Sequence, residues 1–161
     1  MTAVNPIPEG CNSVGVYLIV KDANAAIEFY KKAFGAEGGT CMTGPDGTGV
    51  MHAEIRIGNS TIMLADESPQ WGTKSAETLG GSPVSMHVYI PDVDATFQRA
   101  VDAGCTVVSP CMDMFWGDRF GKVLDPFGFQ WGLGTHFEDV SEEEMDKRAE
   151  AWFASMAEAQ Q

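Results

Sequence analysis

A chain of 161 residues, 44% hydrophobic and 20% charged, has the length of one domain and the mix of a folded globular protein, not a disordered one. Its formal charge of −13 argues against nucleic acid, whose binders carry basic patches, and disfavours an anionic membrane surface. Part of that acidity is local, in Glu138-Asp-Val-Ser-Glu-Glu-Glu144, and the rest suits a dispersed soluble protein. Residues 1–12, rich in Pro, Asn and Gly, read as a flexible lead-in. A first strand is expected over 13–21, a helix over 24–34 closed by Gly35, and a short strand over 40–43. Gly44-Pro-Asp-Gly-Thr-Gly49 is a turn cluster. His52-Ala-Glu-Ile-Arg-Ile57 alternates polar and apolar, Gly58-Asn59 turns the chain, and 60–65 returns as a strand.

Residues 67–83 hold Pro, Gly, Ser and Thr without periodicity and read as a linker. The order then repeats: a strand over 85–90, a helix over 93–103 closed by Gly104, and a strand over 105–109. A loop over 110–117 follows, then strands over 119–125 and 129–133 across the turn Pro126-Phe-Gly128. Tyr17-Leu-Ile-Val-Lys-Asp22 and His87-Val-Tyr-Ile-Pro-Asp92 open the two halves, and Asp22 and Asp92 stand 70 residues apart as caps of the two helices. The chain therefore divides into a lead-in (1–12), a first β-α-β-β-β module (13–66), a linker (67–83), a second module (84–136) and a C-terminal helix (137–161). That last helix starts with a capping box, Ser141 and Glu144, and carries Met145, Ala149, Trp152, Phe153 and Met156 at helical spacing. Its apolar face must pack on the domain or on a partner subunit.

Cys11, Cys41, Cys105 and Cys111 show no paired metal-ligand spacing. The N-terminus lacks the basic start and apolar core of a signal peptide, and no stretch has the length of a membrane span, so a cytoplasmic protein with reduced thiols is expected. Neither a phosphate-binding glycine loop nor a nucleophile elbow is present.

Two such modules, together with Phe115-Trp-Gly-Asp-Arg119, Asp125-Pro-Phe-Gly-Phe-Gln-Trp131, Thr135-His-Phe-Glu-Asp-Val-Ser-Glu-Glu-Glu144 and His52-Ala-Glu-Ile-Arg-Ile-Gly58, resemble the vicinal oxygen chelate superfamily, and within it the PhnB-like branch. That superfamily includes glyoxalase I, extradiol dioxygenases, fosfomycin resistance enzymes and bleomycin-binding proteins. The resemblance covers roughly residues 13–136. It implies an α+β fold whose tandem modules build a cupped eight-stranded mixed sheet, and a homodimer. It also implies metal-ligand positions at Tyr17, Met63, His87 and Gly132. Of these, His87 is a usual ligand, Met63 suits soft ions, and Gly132 stands where the enzymes carry Glu. The standard metal site is thus expected to be lost, with no cofactor expected and a divalent ion held partly by His87 as the alternative.

The leading expectation is a protein that binds a small organic molecule, with Tyr17, His52, Met63, Tyr89, Trp116, Arg119 and Trp131 as ligand contacts. Arg119 could grip an anion or fix its loop through Asp118 or Asp125; Trp131 could be a ligand wall or plain core. The competing expectation is a lyase, isomerase or dioxygenase-like enzyme acting on an oxygenated substrate, with His87 as base or metal ligand and Glu54 beside it. His52, Glu54 and Arg56 share one strand face, which either lines the cup or forms a solvated edge.

Overall fold

The computed structural model describes residues 4–158 except 9 and 46. Parts of the expected lead-in (1–3 and 9) and turn (46) lie outside the described residues. The first module runs β1 (Val16–Val20), α1 (Ala23–Phe34), β2 (Glu37–Thr43), β3 (Val50–Ile57) and β4 (Ser60–Asp66). The linker holds a 3-10 turn at Pro69–Trp71 and the one-turn helix α2 (Ala76–Leu79), structure its Pro and Gly content concealed. The second module runs β5 (Ser85–Tyr89), α3 (Val93–Ala103), β6 (Thr106–Asp113), β7 (Asp118–Leu124) and β8 (Gln130–His136), and α4 (Glu142–Glu158) follows.

The strands form two four-stranded mixed sheets, one per module, ordered β1-β4-β3-β2 and β5-β8-β7-β6. In each, the first strand runs parallel to the last and the other pairs are antiparallel. The repeat extends to the helix starts. Asp22 accepts from the Ala25 N–H and Asp92 from the Ala95 N–H, each at 2.9 Å. The next free N–H is satisfied differently in each half: Ala23 donates to Asp66 and Val93 to the Thr135 hydroxyl. β6 continues through Pro110 where a loop is expected. It is an edge strand with register shifts between Val107 and Met112, and such an edge tolerates a residue that cannot donate.

Each sheet has one buried and one open face. Leu18, Val20, Ala53, Ile55 and Leu64 are buried in the first, and Val123, Trp131 and Leu133 in the second. Helices α1 and α3 pack on these faces and on each other, so the modules join through their helical sides. The seam is aromatic. Trp131 lies 4.7 Å from Phe34 and 5.4 Å from Tyr30 between ring centroids, and Phe29 meets Phe127 edge-on at 5.5 Å. At its centre Asp125 accepts from Tyr30 Oη and Trp131 Nε1 at 2.8 Å, and from the Phe127 and Phe129 N–H groups at 2.9 Å. Burial outweighs these donors, and the Asp125 carboxyl is raised above its ordinary range. Trp131, an expected ligand contact, is therefore the hub of the intermodule core, with no accessible surface.

Candidate functional site

Strand alternation sends Tyr17, His52, Glu54 and Met63 to the open face of the first sheet. Tyr17 pairs with Met63, and Met63 with Glu54, in a single cross-strand row. The side chains above that row are linked: Tyr17 Oη lies 3.1 Å from His52 Nδ1, and His52 Nε2 lies 3.2 Å from Glu54 Oε1. A carboxylate only accepts, so it fixes the imidazole proton on Nε2 and leaves Nδ1 to accept from the phenol. Tyr17 Oη also lies 3.4 Å from the Met51 carbonyl. Tyr17 lines a cavity of about 730 Å³ together with Ile19, Val50, Met51, Ala65 and Trp71 and the acidic Asp66 and Glu67. Trp71 sits in the linker's 3-10 turn, where no periodicity flags it.

Asp66 and Glu67 also shape this cavity's wall. Asp66 receives the Ala23 and Val50 N–H groups, joining the starts of α1 and β3 to the end of β4. Glu67 receives the Thr78 hydroxyl and the Ser75 N–H, which lower its carboxyl to about 2 and keep it ionised.

The open face of the second sheet carries His87, Tyr89, Phe120 and Gly132. The His87 ring stacks on Phe120, with centroids 5.3 Å apart and planes 7° apart. Gly132 permits this stack, because a Cβ there would come within 2.8 Å of the Phe120 ring and 3.2 Å of His87 Nδ1. Trp116 packs on Phe120 at 6.1 Å and closes one end of a cavity of about 340 Å³ that His87 and Lys122 also line. The same cavity is lined by Asp118, which the sequence offered only as a partner for Arg119. Asp118, almost fully buried, accepts from Tyr89 Oη and Trp116 Nε1 at 2.9 Å and meets His136 Nδ1 at 2.6 Å. Burial pushes its carboxyl up, but the three hydrogen bonds more than offset this and hold it below its ordinary range. The other His136 nitrogen faces Asp139 at 3.0 Å. The same alternation that placed His87 and Gly132 would have put Asp118 and His136 on this face.

Arg119 departs from both expected roles. It points to the helix side of β7 and pairs with Asp94 at 2.7 Å and Asp113 at 2.8 Å, tying α3 to β6. It neither meets the open face nor pairs with Asp118 or Asp125. His87 and Glu54 lie on different sheets whose strands are not hydrogen-bonded to each other, so one chain does not bring this expected pair together. A metal at the superfamily's positions would find Tyr17 and Met63 on one sheet and His87 and Gly132 on the other. This donor set offers a single imidazole, a phenol and a thioether, and Phe120 occupies the space beside Gly132; it does not fit a divalent ion. Among the described residues, no three His, Cys, Asp or Glu side chains are grouped to hold one elsewhere.

The sequence profile of the Glyoxalase/Bleomycin resistance protein/Dioxygenase superfamily matches residues 12–133. The chain belongs to this superfamily. An uncharacterized protein of Mycobacterium bovis is 48% identical over 132 residues, covering 80% of this chain and 86% of that protein. Among solved structures, an Arabidopsis thaliana gene product is 30% identical with a TM-score of 0.61, over 76% of this chain and 97% of its own. A PhnB protein from Bacillus cereus shares the superfamily fold at 18% identity and TM-score 0.59, over 77% and 99%. The two sheets of four strands with their Asp-capped helices are thus the tandem modules of this superfamily. Among the described residues, no helix is long and apolar enough to cross a membrane.

Proposed function

We propose that this superfamily member, of the PhnB-like branch by its ordered motifs, binds a small organic molecule on its open sheet faces without a tightly held divalent metal. The observation that carries the reading is the cavity beside Tyr17. Its volume of about 730 Å³ falls within the range of small-molecule sites, and its walls are mainly apolar with a few polar groups among them. Tyr17, Met51 and Trp71 give it two aromatic rings and an adaptable thioether. On the second sheet His87, Tyr89 and Trp116 supply a smaller, more polar patch.

The reading also implies a homodimer. Each chain leaves both sheet faces open, so a second copy that lays one sheet over the other's partner face would turn two shallow faces into enclosed cups.

The test is native mass spectrometry after dialysis against zinc, nickel, manganese and, anaerobically, ferrous iron. A metal-free protein that still binds benzyl alcohol or indole, with loss of the indole-shift signal in Trp71→Ala, is the expected result. One divalent ion per chain, lost in His87→Ala, overturns it in favour of a metal-dependent enzyme.

A further inference from the structure

The chain has three tyrosines, and they are held in opposite ways. Tyr30 donates its hydroxyl to Asp125, and Tyr89 donates to Asp118. Burial and then Asp125 raise the Tyr30 phenol well above its ordinary value; the hydrogen bond to Asp118 and then burial raise that of Tyr89. A phenol facing a carboxylate keeps its proton, because the phenolate would meet a second negative charge. Only the Tyr17 hydroxyl meets an imidazole nitrogen, His52 Nδ1 at 3.1 Å, with the Glu54 carboxylate 3.2 Å from the far ring nitrogen. Tyr17 also lines the cavity of about 730 Å³, and its hydroxyl lies 3.4 Å from the carbonyl of Met51, another lining residue.

We propose that Tyr17 is the catalytic base of a metal-free site in this superfamily member, served by His52 and oriented by Glu54, and acting on an apolar carbonyl compound with an acidic C–H. The arrangement is a nucleophile or base, its proton acceptor and a third orienting group, all within hydrogen-bond reach. In the proposed step the substrate C–H bond breaks and its electron pair forms the enolate, while the proton goes to Tyr17 Oη. The phenol's own proton passes to His52 Nδ1, and the resulting imidazolium is balanced by Glu54. Return of one proton from Tyr17 Oη to the same or the neighbouring carbon, and of the His52 proton to the Tyr17 oxygen, gives exchange or isomerisation and consumes no other reactant. Apolar walls of Ile19, Val50, Met51 and Trp71 suit the body of such a substrate. Its biological meaning rests on the ligand-binding role of this cavity, whereas the relay itself can be read without knowing the ligand.

The probe is phenylmethanesulfonyl fluoride, small and apolar enough for the cavity. An activated phenol oxygen forms the O–S bond, fluoride departs with the S–F electron pair, and the phenolic proton leaves through His52 Nδ1 to water. Peptide mass spectrometry then compares Tyr17 with Tyr89, an internal control that is the more exposed of the two at 62% against 44%. Tyr17 is expected to be labelled at least tenfold faster than Tyr89 at pH 7.5. His52→Gln should remove that advantage at pH 7.5 yet change the rate less than twofold near pH 10.5, where hydroxide from bulk water takes the phenolic proton directly. Glu54→Gln should lower the rate at pH 7.5, and Glu54→Asp should recover part of it. Equal labelling of Tyr17 and Tyr89, or an unchanged rate in His52→Gln at pH 7.5, overturns the proposal. The two readings are separated in the unmodified protein: indole that binds without fast Tyr17 labelling overturns the relay alone, whereas absent indole binding counts against the cavity.

Discussion

Asp118 and His136 make the open face of the second sheet sensitive to pH. The hydrogen bond from Asp118, followed by that from Asp139, raises the His136 imidazole above its usual value. The folded protein then holds this proton more tightly than the unfolded chain. Its stabilisation is complete below the unfolded pKa of about 6.5 and is lost as pH rises through the higher folded value. Urea unfolding across pH 6 to 9 should show stability declining through that window, and His136→Gln should flatten the decline; a slope that survives the substitution assigns it to another group. A second residue-scale prediction concerns the intermodule seam. Tyr30→Phe removes one of four donors to the buried Asp125 carboxyl while preserving the ring contacts, and should cost about 1–3 kcal/mol in urea unfolding. A loss of only a few tenths would mean that the aromatic packing, not the hydrogen bonding, holds the modules together.

At the scale of elements, the units that obey one period were legible and those that depend on distant partners were not. Both modules, both Asp caps and both Gly stops could be read because a strand period of two passing into a helix period of 3.6 is written locally. β6 was cut short because Pro110 reads as a breaker, while an edge position, visible only in the folded sheet, tolerates it. Alternation put His52 and Glu54 on one face without saying which way it turns, and the resemblance supplied Tyr17; their hydrogen-bonded chain required the register of β1 against β4 and β4 against β3. The partners of Arg119 were missed and Trp131 was left between ligand wall and core for a related reason: each sits one residue from an open-face position, and that single step turns a ligand contact into a helix clamp or a core ring. The C-terminal helix was legible as a helix, though not where it rests. It touches the domain through Phe115, 5.7 Å from Trp152, and through Arg148 paired to Glu138, while Phe153 and Met156 stay exposed. The aromatic contact adds about 1 kcal/mol to a similar amount from half-burying Trp152, roughly 2 kcal/mol in all, which in a domain of this size is about 4–8 °C in Tm. Removing residues 141–161 should therefore lower Tm by no more than that in differential scanning calorimetry. A larger drop would show that α4 is held by a surface beyond the single chain.

The whole molecule poses a charge problem that decides how its faces can be covered. Met42 pairs with His52 and Met112 with Phe120, so both methionines stand on open faces, and both are exposed. A second copy covering these faces would remove from water the 1,200–2,000 Å² or so typical of a stable interface. Each copy also brings a formal charge of −13, so association must overcome repulsion between like-charged surfaces. Salt screens that repulsion, with a Debye length of about 10 Å at 0.1 M and about 3 Å at 1 M, but leaves apolar burial intact. The dimer should therefore tighten as salt rises, opposite to an interface built on ion pairs. Sedimentation equilibrium should give twice the single-chain mass of 17.3 kDa, with a dissociation constant that falls between 0.05 and 0.5 M sodium chloride. Met42→Asp and Met112→Asp add charge where the single chain already meets water, so each should leave Tm nearly unchanged when measured at dilutions that favour monomer, yet shift the equilibrium toward monomer. If both variants remain dimeric while removal of 141–161 yields monomers, the contact runs through α4. The sheet faces would then remain open, and the cavity beside Tyr17 would work from one chain alone.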